Sequence, residues 1–186
     1  MQRISVVGNS GSGKTTLAAA LARALDVPHL ELDSVFHQPG WQPLETGLFR
    51  ARVTEFTAGD AWVVDGNYSA VRDLIWQRAD TVVWIDLPRH VVMRQLVART
   101  LGRLVTRQEL WNGNTESWRD LFRLDPERSI IVWAWTRHRK YVQRYAGAER
   151  DPAYRHIRFV RVRSRAEGTR LAARLAAQRG GGAAGE

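Results

Sequence analysis

Short apolar runs and helical repeats alternate along the 186-residue chain. Arg3–Val7, His29–Leu32, Trp62–Val64, Thr81–Ile85 and Ile157–Val162 read as strands. The near-continuous apolar character of runs such as Val82-Val83-Trp84-Ile85 fits strands covered on both faces. Between the runs, Leu17, Ala18, Leu21, Ala24 and Leu25 make one helix face from about Lys14, a helical segment spans about 45–58, and another starts near Arg89. Residues 34–44, with Pro39-Gly40 and Pro43, read as a loop, and Ala166–Gln178 is amphipathic through Leu171, Ala172 and Leu175. This alternation predicts an α/β fold of three layers, helices on both faces of a five-stranded parallel sheet. Ligands in such a sheet lie beyond the carboxyl ends of the strands, so the residues after each run are the ones to read for chemistry. Residues 1–179 are expected to be one domain, and 180–186, with nothing to bury, a disordered tail.

The residues after the first run are Gly8-Asn9-Ser10-Gly11-Ser12-Gly13-Lys14-Thr15, followed by Thr16. They fit G-x-x-x-x-G-K-[ST] at every fixed position, between a strand and a helix. Glycines there let successive N–H groups point at one anion, and the helix that follows adds its positive end. Lys14 reaches β- and γ-phosphates as a point charge, and Thr15 offers a hydroxyl to Mg²⁺. A phosphate-binding loop, the hallmark of the P-loop NTPases, is the expectation, with ATP and Mg²⁺ as its ligands.

Asp33 stands at the end of the second run, where a carboxylate accepts a proton from an acceptor hydroxyl, helps hold Mg²⁺, or caps a turn. The third run ends in Asp65-Gly66, the arrangement in which a carboxylate holds Mg²⁺; Asp86, after the fourth run, is the competitor. Arg50 and Arg52 lie on the 45–58 helix, either gripping an acceptor anion or standing as exposed charges. Residues 34–60 are thus read as an acceptor-side insertion. Arg99, Arg103 and Arg107 share one helical stripe, Trp111-Asn112-Gly113-Asn114 is a turn, and Asp125-Pro126 opens a further helix that carries Arg137, Lys140 and Arg144. A helical lid over about 104–126 is expected, bringing arginines to a transferring phosphoryl group. Arg163-Ser164-Arg165 follows the fifth run, where Arg165 is placed to touch a nucleotide base. Trp62, Trp84, Trp133 and Trp135 are assigned to the core.

Composition changes this picture little. The net charge is +9 and the pI about 11.0, but all cations except Lys14 and Lys140 are arginine. Charge of that kind serves phosphate groups within a site, and a nucleic-acid partner is not favoured by sign alone. There is no cysteine, hence no disulfide and no thiolate metal site, and the five histidines show no ligand spacing. No apolar run approaches a membrane span, and no charged-then-apolar leader precedes the first strand, so a cytoplasmic protein, monomer or weak dimer, is expected.

With these residues in hand, the chain resembles the adenylate-kinase-like branch of the P-loop kinases, and within it the small topology modulation proteins. The resemblance is carried by GNSGSGKTT at 8–16, HLELDSVFHQPGW at 29–41, WVVDGNY at 62–68, VVWIDLPR at 82–89, ARTLGR at 98–103, ELWNGNTESW at 109–118 and WAWTRHRKY at 133–141. It implies that Asp65 is a Mg²⁺-linked carboxylate, that Arg99 contacts adenine and Arg103 the phosphates, and that Arg137 or Arg139 returns from the lid to the phosphoryl group. Asn67-Tyr68 stands where adenylate kinases have the Phe-Pro-Arg that binds the monophosphate. Asp33 stands where they have a Thr-Gly pair for AMP, closer to the small-molecule kinases similar to shikimate kinase. The resemblance therefore implies an ATP- and Mg²⁺-dependent phosphotransferase acting on a small acceptor, with Lys14, Asp33, Arg103, Arg137 and Arg139 as its catalytic set. A nucleotide-binding regulator of the DNA-topology type is the alternative.

Overall fold

The computed structural model describes residues 1–106, 109–115 and 130–182. Its central sheet is formed by β1 (Arg3–Gly8), β2 (His29–Glu31), β5 (Trp62–Asp65), β6 (Thr81–Ile85) and β7 (Arg158–Val162). The five strands run parallel in the order β2-β5-β1-β6-β7. The chain enters at the middle, fills one side and then crosses to the other, so the ends of β1, β5 and β2 open on one edge.

Helices join them: α1 (Lys14–Leu25), α2 (Leu32–Phe36), α3 (Thr46–Thr57), α4 (Ser69–Arg78), α5 (Arg89–Thr106), α6 (Ile130–Ala148) and α7 (Arg165–Gly182). Alternation along each strand divides the core between the two faces. Ile4, Val6, Val63, Val83 and Ile85 pack with Leu17, Leu21, Val92 and Leu171 on one side. Val64, Val82, Trp62 and Trp84 pack with Phe49, Val53, Ile75 and Trp76 on the other. The expected three-layer P-loop architecture is what the chain adopts.

Local expectations needed correction in four places. On α1 the buried face uses Ala22 where Ala24 was expected, because Leu17, Ala18, Leu21 and Ala22 form the tighter stripe against the sheet. Residues 34–44 are not a plain loop: α2 leads into a two-residue hairpin, β3 (His37–Gln38) and β4 (Gln42–Pro43), closed by a turn with Gly40 at φ +70° and Trp41 at φ +61°. Trp135 is not core; it is 51% exposed, with the Arg89 guanidinium 3.4 Å from its ring centre. The last helix runs to Gly182, past the expected start of the tail, and 183–186 lie outside the described residues. Of the expected lid, 107–108 and 116–126 also lie outside, as do Arg107 and the Asp125-Pro126 helix start; nothing is described of the Trp133 side chain. No helix among the described residues is long and apolar enough to cross a membrane.

Candidate active site

The site grows from the turn between β1 and α1. Gly13, at φ +90°, caps α1 with open space where a side chain would stand, so its demand is purely conformational. Gly11, at φ +79°, packs so tightly on α5 that a Cβ would lie 2.7 Å from that of Leu96. The loop is held from several sides. Asn9 donates through Nδ2 to the Ala134 carbonyl on α6 at 3.0 Å, and its Oδ1 accepts from the Ser10 N–H at 2.9 Å. Asn67 accepts from the Gly8 N–H at 3.3 Å and donates back to the Gly8 carbonyl, while the Tyr145 hydroxyl donates to Asn67 at 2.9 Å. Lys14 Nζ folds back to donate to the Asn9 carbonyl at 3.2 Å. Ser12 Oγ is buried and has no hydrogen-bond partner. A glycine turn braced through Asn9 and Asn67 at the start of α1, with an unanswered hydroxyl and an ammonium, suits a polyphosphate.

Beyond the loop, strand register sets two carboxylates side by side, Glu31 of β2 opposite Asp65 of β5. The Thr15 hydroxyl is 2.8 Å from Asp65 Oδ2 and 3.0 Å from Glu31 Oε1. His29 Nε2 lies 3.0 Å from Asp65 Oδ1, on a carboxylate only 2% exposed. Asp86, the competitor, is ion-paired with Arg161 of β7 and belongs to the other side of the sheet. Burial pushes the Lys14 ammonium below its ordinary range, against the Asp33 and Asp65 carboxylates, which favour its charge; nearby Arg99 adds to the lowering. Burial likewise pushes Glu31 up, opposed by the Trp111 hydrogen bond, with Asp65 and Asp33 adding their repulsion. Among the described residues no three His, Cys, Asp or Glu form a metal cage. Mg²⁺ asks for no such cage; it keeps waters and takes one or two protein oxygens beside phosphate, which the Thr15 hydroxyl and Asp65 can supply.

Asp33 sits on α2, where the Tyr68 hydroxyl donates to its Oδ1 at 2.6 Å. Burial first, then the neighbouring Asp33 carboxylate, push the Tyr68 phenol far up, so it stays a donor. His37 Nε2 is 3.3 Å from the same hydroxyl, and burial pushes that imidazole down against the pull of Asp33.

The Trp111–Asn114 turn forms as read, with Asn112 at φ +57° and Gly113 at φ +75°. It lies on α2 and the 37–43 hairpin. Trp111 donates to Glu31 Oε2 at 2.9 Å and Asn112 to the His37 carbonyl at 2.6 Å. Asn114 accepts from the Trp41 N–H at 2.9 Å and donates to the Gln38 carbonyl at 3.0 Å.

The arginines divide. Arg99 and Arg165 line one cleft of about 840 Å³ with Pro88, Val91, Arg94 and Arg163. Arg103 lies one turn beyond Arg99 on α5. On α6, Arg137 is exposed on the same side as Ala134, which touches the loop, and Tyr141, whose phenol it influences. Arg139, also exposed, is two positions on and so points elsewhere. Arg50 is engaged within the protein: both its Nη atoms fork onto Asp73, at 2.9 and 2.8 Å, and it also donates to the Ala70 carbonyl, tying α3 to α4.

Glu31, Tyr68, His37 and Asn67 were not picked out from sequence. Glu31 and Asn67 had a signal, since Glu31 ends β2 and Asn67 stands two places past β5, both at the ligand edge. Tyr68 and His37 had none beyond chemistry.

No protein-family model matches the sequence, and no curated protein is similar enough to match it. Solved structures do match. Shikimate kinase from Bacteroides thetaiotaomicron is 16% identical with TM-score 0.53, over 94% of this chain and 96% of that one. Shikimate kinase from Acinetobacter baumannii, in complex with shikimate, is 19% identical with TM-score 0.52, over 94% and 90%. The Aquifex aeolicus enzyme is 15% identical with TM-score 0.51, over 99% of both chains. The fold is therefore the one these three structures share; at such identity the likeness is one of fold alone.

Proposed function

We propose that the protein is an ATP- and Mg²⁺-dependent phosphotransferase that moves the γ-phosphoryl of ATP to a hydroxyl of a small acceptor. One observation carries the reading: Lys14, Thr15, Asp65 and Asp33 lie in one electrostatic neighbourhood at the mouth of the loop, with Arg99 beside them. The loop from Gly8 to Thr16, with Lys14, holds the phosphates, its Gly8, Ser10 and Ser12 amides being used at Asn67 and Asn9 to shape it, and the cleft between Arg99 and Arg165 takes the base. Mg²⁺, held by Thr15 and Asp65, neutralises charge on the phosphate oxygens when bound.

Asp33, fixed by Tyr68, accepts the proton of the acceptor hydroxyl as its oxygen bonds to the γ-phosphorus and the bond to the ADP oxygen breaks. Arg137 and Arg103 stabilise the transferring group, a role worth about 10³–10⁵ in rate where an arginine is positioned for it. Arg139 points away from the loop-facing side and is given no part. The fold neighbours support this reading because they are kinases by name. ADP formation from ATP·Mg that is stimulated by an acceptor, and lost in Lys14→Ala, tests it. ADP formation equal in the two proteins would reject it.

A further inference from the structure

Resting on that phosphotransfer reading, the fastening of α6 decides when Arg137 reaches the phosphate loop. Three loops that follow strands of the central sheet are tied to this one helix. After β1, Asn9 Nδ2 donates to the Ala134 carbonyl at 3.0 Å. After β5, Asn67 accepts from the Tyr145 hydroxyl at 2.9 Å and meets both the N–H and the carbonyl of Gly8. After β6, His138 Nε2 lies 3.1 Å from the Leu87 carbonyl, and Arg89 donates to the Trp135 carbonyl at 2.9 Å while its guanidinium covers that indole.

The anchor at the far end of the helix is core. Tyr145 is 2% exposed, lies 5.9 Å from Trp84 and 6.3 Å from Trp76 ring to ring, and stacks on Tyr141 at 6.0 Å with 8° between the rings. Burial pushes its phenol far up, so it stays a donor to Asn67. Side chains packed this closely in an interior resist displacement.

Ala134, Arg137, Tyr141 and Tyr145 are three, four and four positions apart, so they share one face of α6. Arg137 therefore stands between the tie at Ala134 and the tie at Tyr145. Its charge is felt along that face: burial raises the Tyr141 phenol, Arg144, Arg137 and a hydrogen bond from Asn67 draw it back, and the Asp33 carboxylate adds to the rise. Arg137, Tyr141 and Asp33 thus share one electrostatic neighbourhood. We propose that α6 and the phosphate loop form one rigid body, so that Arg137 is held beside the loop before nucleotide arrives, with Asn67 and Tyr145 as its positioning residues. A misplacement of about 1 Å at a reacting centre costs about 10²-fold in rate, so a helix already fastened in place serves the transfer better than one that must find its seat.

The test uses the full chain, which has no cysteine, so that Arg23→Cys on α1 and Arg139→Cys on α6, both exposed, are the two sites that take a spin label. Binding of a non-hydrolysable ATP analogue with Mg²⁺ is first measured by calorimetry. Absence of that binding rejects the phosphotransfer reading, while the separation of the labels without nucleotide still judges the rigid body. Dipolar spectroscopy should give one separation without nucleotide, moving by less than about 3 Å on saturation, the scale of small helix shifts. A larger movement, or a second population before nucleotide is added, overturns the proposal. The second arm is Tyr141→Phe with Tyr145→Phe, which keeps both rings and removes both hydroxyls. The kcat of ADP formation from ATP·Mg should fall at least about tenfold, with analogue affinity within about threefold of the parent. In an Arg137→Ala background the same pair should change kcat by less than about threefold, because no arginine is left to position. Equal losses in the two backgrounds, a loss of affinity in place of kcat, or no loss in either, would overturn the positioning role.

Discussion

The Thr15 hydroxyl meets Asp65 Oδ2 at 2.8 Å, joining the last residue of the phosphate-loop motif to the end of the neighbouring strand. Parallel pairing of β1 and β5 makes this meeting possible, since Val6 is level with Asp65 and the loop begins two residues later. Thr15→Val and Asp65→Asn should each raise the Mg²⁺ concentration needed for half-maximal turnover by about 10–100-fold, the usual cost of losing a metal's supporting oxygen. A Mg²⁺ titration of ADP formation reads it directly, and an unchanged midpoint in Asp65→Asn would remove that residue from the metal.

Asp33→Asn keeps the hydrogen-bonding shape but cannot take a proton. Its kcat should fall about 10²–10⁴-fold while ATP·Mg affinity stays near that of the parent. Full phosphotransfer in this variant would show that Asp33 is not the base.

Glu31 gives a pH-dependent stability effect. Its folded-state pKa is raised, chiefly by burial, so the folded protein holds that proton more readily than the unfolded chain. The ionised carboxylate therefore costs stability above its folded-state pKa, and the cost disappears below the ordinary glutamate range, where both states are protonated. Glu31→Gln should raise the Tm at pH 7 in the absence of nucleotide, and the gain should vanish toward pH 4. Thermal melts across that range check the sign. A gain that grows on acidification would contradict the assignment.

Two polar residues with similar-looking roles should differ in weight. Asn114 is 4% exposed and anchors the 109–115 segment to both Trp41 and Gln38, so Asn114→Ala leaves buried partners unpaired and should cost about 1–3 kcal/mol. Arg50 and Asp73 are 38% and 52% exposed, and Arg50→Met should cost at most about 1 kcal/mol. Denaturant unfolding of both variants makes the comparison.

What could be read in the chain follows from where local signals suffice. The strands and phosphate loop were legible because apolar runs and a fixed glycine pattern are local, and the rule about carboxyl edges pointed to Asp33 and Asp65, which lie just past β2 and at the end of β5. Preferring Asp65 to Asp86 rests on strand order, β5 lying beside β1 next to the Thr15 hydroxyl while Asp86 is ion-paired with Arg161. Arg50 could not be settled from spacing, since its partner Asp73 is on another helix. The Trp111–Asn114 turn was legible as a turn, but its seat on the 37–43 hairpin depends on hydrogen bonds spanning more than seventy residues, which periodicity does not carry. Tyr68 was noticed only as a departure from the adenylate kinases; its partnership with Asp33 needs α2 and the end of β5 brought together.

Calorimetric titration of the protein with ATP·Mg, beside Lys14→Ala, bears most directly on the whole account. Saturable binding at micromolar to low-millimolar concentration, abolished or weakened at least about tenfold in the variant, is the predicted result. No heat from the parent protein well into the millimolar range, or equal binding by the two, would contradict it.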